Sequence, residues 1–209
     1  MIIKQKQRRL LLKVKCDNEG IIKATYIITE GGIAVFPTDT VYGIGCNPFN
    51  TKAVEKVYAI KSRHKSKPFP ILTFSLELAE KIAEFDTYSR QLAKKFWPGP
   101  LTILVKLRDK DLQQSLGLTD KIGLRVPNHS CTLELLKRCQ FLVGTSANKS
   151  GKDSFVDPNR CMESIDGFDV FVDGGKINSD SESTIIEIIN NKIKVIRRGV
   201  LTEEELKIE

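Results

Sequence analysis

Apolar residues along the chain fall into short blocks whose rhythm changes where polar and glycine or proline positions interrupt them. Residues 10–15 read as a first strand. Asp17 or Asn18 then stands at a helix-cap position, and Ile21, Ile22, Ala24, Ile27 and Ile28 gather roughly on one helical face until Gly31-Gly32 ends it. Residues 33–36 form an apolar run stopped by Pro37, the pattern of a buried strand that delivers the loop 37–50 to a sheet edge. A helix is predicted over about 51–60 and a strand over 69–74. Ser75 and Thr87 occupy cap positions, and Trp97-Pro98-Gly99-Pro100 closes the helical stretch that follows them. Further strands are predicted over 101–107, 122–126, 141–145, 170–173, 183–189 and 193–196, with helices near 131–139 and 159–164. The last two strands, joined by Asn190-Asn191-Lys192, have the look of an antiparallel hairpin. The expected fold class is therefore α/β with α+β character, a twisted mixed parallel/antiparallel sheet covered by helices, rather than a purely parallel doubly wound one. No repeat or linker divides the chain. One unit is expected over residues 10–200, with a basic arm over 1–9 and a short acidic helical tail over 201–209.

Composition narrows the class. The 209 residues are 41% hydrophobic and 28% charged, within the globular range. No run of eighteen apolar residues provides a spanning helix, so no membrane partner is expected. The N-terminal apolar stretch is short, broken by Lys13 and Lys15, and lacks a small-residue cleavage site, so a cytoplasmic location is expected. Cys16, Cys46, Cys131, Cys139 and Cys161 are odd in number and never spaced C-x-x-C, which argues for reduced thiols over a disulfide framework or a zinc knuckle. The net charge of +7 suggests a polyanion or a phosphorylated substrate.

The common catalytic patterns are missing. There are two histidines and no G-x-S-x-G elbow, no P-loop, no G-x-G-x-x-G, no H-E-x-x-H and no Asp-rich calcium loop. What remains is a set of polar loops, several of them placed after apolar strands. Pro37-Thr38-Asp39-Thr40-Val41-Tyr42-Gly43 offers two hydroxyls, a carboxylate and a phenol, either as a ligand loop or as a turn that satisfies its own backbone. Lys61-Ser62-Arg63-His64-Lys65-Ser66-Lys67 puts four cations in seven positions at a helix end, either as a solvated, dipole-favoured face or as a phosphate clamp. Gly144-Thr145-Ser146-Ala147-Asn148 follows an apolar run with small residues that let a ligand approach the backbone. By itself it is also an ordinary turn. Arg125 and Arg197 lie within or at the end of apolar strands, where each guanidinium needs an anionic partner, either an internal Asp or Glu or a substrate carboxylate or phosphate.

Taken in order, these segments resemble the YrdC family of threonylcarbamoyl-AMP synthases. The resemblance rests on P-T-D-T-V-Y-G, K-x-R, W-P-G-P-L-T, R-V-P, S-A-N-x-S-G, D-G-G with E-S-T, and I-R-R-G, from about Gly31 to Gly199, and it fits the single-domain form of the family. It implies the YrdC-like fold and a nucleotidyltransferase that makes threonylcarbamoyl-adenylate and pyrophosphate from L-threonine, bicarbonate and ATP, with Mg²⁺, for threonylcarbamoyladenosine in tRNA. Matching positions imply ATP contacts for Lys61, Arg63, Ser146, Asn148, Ser154 and Arg197, to which the cation run adds Lys67. They imply threonine contacts for Thr38, Arg125 and Ser183, with Tyr42, Thr102 and Gly144 in the same loop set. Lys61 and Arg63 are the expected catalytic pair. Arg198, next to Arg197, leaves two arginines competing for the nucleotide. The expected partners beyond the substrates are tRNA or double-stranded RNA and a downstream threonylcarbamoyl transferase. With only residues 201–209 beyond the motifs, any cover over the nucleotide is expected from loops or a partner.

The rival is a non-catalytic double-stranded RNA or tRNA-binding module of the same fold, which accounts for basic charge but not for a threonine-type polar set beside a nucleotide-type one. The charge itself is local. Lys4, Lys6, Arg8, Arg9, Lys13 and Lys15 precede the first acid, and Lys61, Arg63, Lys65 and Lys67 follow one another without an acid between them. The remaining 23 basic and 26 acidic residues leave −3. One cluster belongs to the expected triphosphate site, and the other is an arm suited to RNA.

Overall fold

Two sheets, not one, account for the strands, and the computed structural model describes residues 11–118, 120–179 and 181–208. The expected arm over 1–9, with Lys4, Lys6, Arg8 and Arg9, lies outside the described residues. The first half of the chain runs β1 (Leu12–Lys15), α1 (Asn18–Thr29), β2 (Ala34–Phe36), β3 (Gly43–Gly45), α2 (Thr51–Lys61), β4 (Ile71–Thr73), α3 (Leu76–Ile82), β5 (Ala83–Glu84) and α4 (Thr87–Phe96). The second half runs β6 (Leu101–Leu107), α5 (Lys110–Leu116), β7 (Lys121–Arg125), α6 (Ser130–Cys139), β8 (Phe141–Val143), β9 (Thr145–Ser146), α7 (Pro158–Ser164), β10 (Val170–Asp173), β11 (Thr184–Ile189) and β12 (Lys192–Arg197). The first sheet has the order β1-β10-β2-β3-β9, parallel over its first three strands and antiparallel over the rest. The second has the order β12-β11-β6-β7-β4-β8, with β5 on β6, and is parallel only at β11-β6 and β7-β4. Both sheets are mixed; the expected hairpin accounts for an antiparallel pair in the second, and β3 supplies those of the first.

Burial on both faces explains why β2 and the start of β10 are continuous apolar runs. Val35 and Phe171 point into the larger core, while Ala34, Phe36, Val170 and Val172 point into a second core under α1 and α6, against Ile21, Ala24, Ile28, Leu135 and Leu136. All the helices except α6 begin where a side chain caps them. The Asp17 carboxylate accepts the Gly20 N–H at 2.8 Å, and Ser75 caps α3. The second cap is one residue earlier than expected: Asp86 accepts the Ser89 N–H at 2.7 Å, and Thr87 is already helical. The hairpin turn is Asn190-Asn191, with φ of 51° and 58°, a two-residue turn with both central residues left-handed as in type I′.

Other expectations are corrected. The loop 37–50 contains β3, and α5 was not foreseen although Asp109 caps it and Gly117 ends it. The stretch 141–145 is not one strand, because the chain leaves the second sheet after Val143 and enters the first at Thr145. Glycines allow this corner. A Cβ on Gly144 would lie 2.3 Å from the Leu72 Cγ, and one on Gly45 would lie 1.6 Å from the Val143 carbonyl oxygen. One bond links the sheets there, Val143 N–H to Cys46 carbonyl at 2.9 Å, while Gly144 N–H to Pro70 carbonyl at 3.0 Å extends the β4–β8 ladder up to the corner. Cys16 and Cys131 are joined in a disulfide with Cα atoms 5.5 Å apart, which corrects the expectation of reduced thiols throughout. Residues 201–208 form turns instead of a short helix, and Leu206 is fully buried in the larger core. Among the described residues, no helix is long and apolar enough to cross a membrane.

Candidate functional site

The corner where the sheets meet opens into a cavity of about 480 Å³, within the usual range for small-molecule sites. One part of its wall comes from the end of α2. Ser62 adopts left-handed φ of 48°, and the following Arg63 N–H returns to the Tyr58 carbonyl at 3.0 Å. This turn ends the helix so that Lys61, its last residue, and Arg63 both line the cavity.

Lys61 is 1% exposed. Its ammonium donates to the Ser146 carbonyl, to the Asn148 carbonyl at 2.8 Å and to Asn148 Oδ1 at 2.9 Å, so all three protons meet neutral oxygens. Burial, reinforced by the positive charge of Arg63 and opposed by Glu182, pushes its pKa down to about 8. Asn148 is fully engaged in holding it: Oδ1 also accepts the Ser146 hydroxyl at 2.7 Å, and the amide nitrogen donates to the Lys152 carbonyl. Arg63 lies over the Phe69 ring at 5.2 Å and donates to the Lys67 and Pro68 carbonyls at 2.8 and 3.2 Å. Burial lowers its pKa as well.

Other parts of the wall come from the loop after β2 and from the second sheet. Arg125, at the end of β7, is buried and donates to the Gly99 carbonyl at 2.9 Å, to the Thr40 hydroxyl at 3.1 Å and to the Asp39 carboxylate at 2.6 Å. Burial lowers its pKa and Asp39 opposes the shift. The Thr38 hydroxyl accepts the N–H groups of Thr40 and Val41 at 3.1 and 3.2 Å, so this loop both satisfies its own backbone and lines the cavity. The Thr102 and Ser183 hydroxyls meet at 3.0 Å, both buried. Arg197 donates to the Ser183 hydroxyl at 2.9 Å and pairs with Glu182. Each of the two strand arginines thus has an internal carboxylate while also facing the cavity. Arg198 is exposed, pairs with Glu203 at 3.3 Å, and is not on the wall, so of the two neighbours Arg197 is the one that faces the cavity.

Of the residues singled out by sequence, Lys61, Arg63, Lys67, Ser146, Asn148 and Arg197 all line this one cavity, together with Thr38, Thr102, Arg125, Gly144 and Ser183. Two do not. Tyr42 is fully buried, its ring stacked on Phe171 at 5.3 Å and its hydroxyl held between the Gly175 carbonyl at 2.8 Å and the Gly174 N–H at 3.2 Å. Its position is that of a packing residue. Ser154 also lies off the wall. Sequence reasoning passed over Thr40, Lys121, Lys152 and Glu182, which line the cavity. Thr40 and Glu182 sit inside quoted motifs, and their polar neighbours were the available signal.

Among the described residues, no group of three or more His, Cys, Asp or Glu side chains is placed to hold a metal, and Glu182, the one wall carboxylate, is engaged with Arg197. The polar part of the wall is instead mainly cations and hydroxyls, set among apolar side chains such as Phe69, Leu72 and Ile196. Such a set is suited to binding and orienting a polyanion and to stabilising charge on a leaving group.

Comparison with known proteins gives a consistent result. The Sua5/YciO/YrdC family model, described as "Telomere recombination", matches residues 26–199. A Methanocaldococcus jannaschii relative is 38% identical over 180 residues, covering 86% of this chain and 85% of its own. A Pyrococcus abyssi protein named threonylcarbamoyl-AMP synthase is 33% identical over 187 residues, covering 88% of this chain and 55% of its own, so this chain spans just over half of that relative. The crystal structure of P. abyssi Sua5 complexed with L-threonine superposes with a TM-score of 0.84 at 31% identity, over 94% of this chain and 59% of that one.

Proposed function

The chain belongs to the Sua5/YciO/YrdC family, and on that premise we propose that it is an L-threonylcarbamoyladenylate synthase, acting on L-threonine, bicarbonate and ATP. The observation that carries this reading is Lys61: a buried ammonium with only neutral oxygens around it, on the wall of a cavity shared with Arg63, Arg197 and the Thr102–Ser183 hydroxyl pair. A buried cation without a bonded carboxylate gains most from an arriving polyanion.

In this reading Lys61, Arg63, Lys67 and Arg197 hold the triphosphate, and Asn148 and Ser146 fix the Lys61 ammonium. Arg125 keeps Asp39 and has two N–H groups without a protein acceptor among its hydrogen bonds, enough to receive a threonine carboxylate. Thr38, Thr102 and Ser183 orient the amino acid. Threonine's amine combines with bicarbonate to give a carbamate and water. A carbamate oxygen then attacks the α-phosphorus as the bond to pyrophosphate breaks, and the cations offset the charge that builds on the leaving group. The wall residues do not form a cage for Mg²⁺, so the ion is read as part of the ATP substrate, carried on its phosphates. The unstable adenylate passes to a downstream threonylcarbamoyl transferase for tRNA, in the cytoplasm. The basic residues before Asp17 are proposed to contact tRNA, a salt-dependent attraction separate from the chemistry.

A non-catalytic RNA module does not need the hydroxyl pair beside the cations, which favours the synthase. Pyrophosphate release should rise with threonine when ATP, Mg²⁺ and bicarbonate are present, and should fall to background when threonine is replaced by alanine. Release that ignores the amino acid, or RNA binding with no release, would contradict the proposal.

A further inference from the structure

Glu182 has no place in the mechanism above, although it stands inside the cation set. Among the described residues it is the one carboxylate on the cavity wall. It pairs with Arg197 Nη1, and its negative charge also acts on Lys61, Arg63 and Arg125, favouring the charged form of each. Its backbone is fixed, since its carbonyl accepts the Val200 N–H at 3.0 Å. Its side chain is 27% exposed and can leave the arginine for water. Arg197 has a second hold that does not depend on Glu182, because it donates to the Ser183 carbonyl at 2.8 Å and hydroxyl at 2.9 Å. The pair can therefore open without the guanidinium losing its place.

We propose that Glu182 is an internal competitor for Arg197, displaced when a phosphate chain enters the cavity and returning to the guanidinium when pyrophosphate leaves. The inference rests on the reading of the cavity as a nucleoside triphosphate site. A carboxylate tethered beside its cation acts at a high effective concentration, so it weakens every anion that needs Arg197 and shortens its stay. For an enzyme that must discharge a highly charged product from a pocket of three or more cations, that is an aid to turnover. The cost is a weaker hold on ATP.

The test uses inorganic pyrophosphate alone on the full chain, by titration calorimetry, without threonine or bicarbonate. Removing the competitor in Glu182→Gln should tighten pyrophosphate binding about fivefold, the range of a partly exposed ion pair. Most of the gain should disappear when the same change is made in an Arg197→Ala background, because the carboxylate then has no guanidinium to occupy and acts only through its weaker field on Lys61, Arg63 and Arg125. Glu182→Ala serves the same purpose if one variant fails to fold, as judged by its melting curve. Unchanged or weaker binding overturns the proposal. So does a gain that persists undiminished without Arg197, which would indicate simple repulsion, or a wild-type protein that does not bind pyrophosphate. Adenylate synthesis with unaltered pyrophosphate affinity in Glu182→Gln would sink this inference alone and leave the synthase standing.

Discussion

Lys61 and Arg125 are both buried cations on one cavity wall, yet they are stabilised in opposite ways. Arg125 has the Asp39 carboxylate at 2.6 Å as well as the Gly99 carbonyl and Thr40 hydroxyl. Lys61 has only carbonyl and amide oxygens. In the first arrangement the charge is already countered without a ligand, although two N–H groups are left over, and the contacts tie the strand β7 to the loop after β2. The second leaves a charge that burial disfavours and that an anion would stabilise. Position on a cavity wall therefore does not by itself separate a side chain that builds the site from one that changes state when the ligand arrives. The nature of the partner atoms does.

The largest expected effect is on the built side of the comparison. Asp39→Ala strands the Arg125 charge and should cost about 3–5 kcal/mol of stability, read from urea denaturation. A loss below about 1 kcal/mol would erase the distinction drawn between the two cations. Next, Lys61→Ala should lower the rate of pyrophosphate release by about 10²–10³ while costing far less stability than Asp39→Ala, since the removed ammonium has no counter-charge to strand. Near-normal release would place the triphosphate elsewhere.

A subtler separation comes from pH. The Lys61 pKa of about 8 in the folded chain lies below its ordinary 10.5, so between those values the folded state holds fewer protons than the unfolded one. The penalty for burying the ammonium is therefore full below pH 8 and is relieved as pH rises toward 10.5, adding to stability across that window. Nucleotide binding should reverse the shift. At pH 8, calorimetry in two buffers of different ionisation enthalpy should show proton uptake on ATP binding, and Lys61→Met should abolish it. Equal heats after correction in both buffers would mean that the ammonium does not sense the ligand. The smallest contrast is between neighbours: Arg197→Ala should raise the KM for ATP about tenfold, a loss of roughly 1.4 kcal/mol. Arg198→Ala should change binding and stability by less than about 0.5 kcal/mol.

The cation floor was legible because its residues sit in compact motifs. Lys61 and Arg63 flank a helix end, and Ser146 and Asn148 follow an apolar run, so local pattern raised both halves of the network as candidates, and only the family resemblance chose the ligand reading over a solvated face and an ordinary turn. Arg197 against Arg198 was not legible, because strand alternation fixes which neighbour faces a cavity only if the register is known, and the pairing of β11 with β12 shifts at Ile185/Ile186. Tyr42 misled for the opposite reason. A phenol in a polar loop looks available, but here its hydroxyl is held by Gly174 and Gly175, more than 130 residues away in sequence. The strand β3 is three residues, Gly43-Ile44-Gly45, too short for any period and made by pairing with β2 and β9. Cys16 and Cys131 are 115 residues apart, and no spacing rule reaches that far. Local chemistry and helix ends were readable. Long-range pairings were not.

The most direct test of the account is to incubate the protein with ATP, Mg²⁺, L-threonine and isotopically labelled bicarbonate and to follow the products by mass spectrometry. The account predicts a threonylcarbamoyl-AMP that carries the bicarbonate carbon, forms only when all the substrates are present, and is lost in Lys61→Ala. AMP and pyrophosphate without label in an adenylate, or undiminished product from Lys61→Ala, would contradict it.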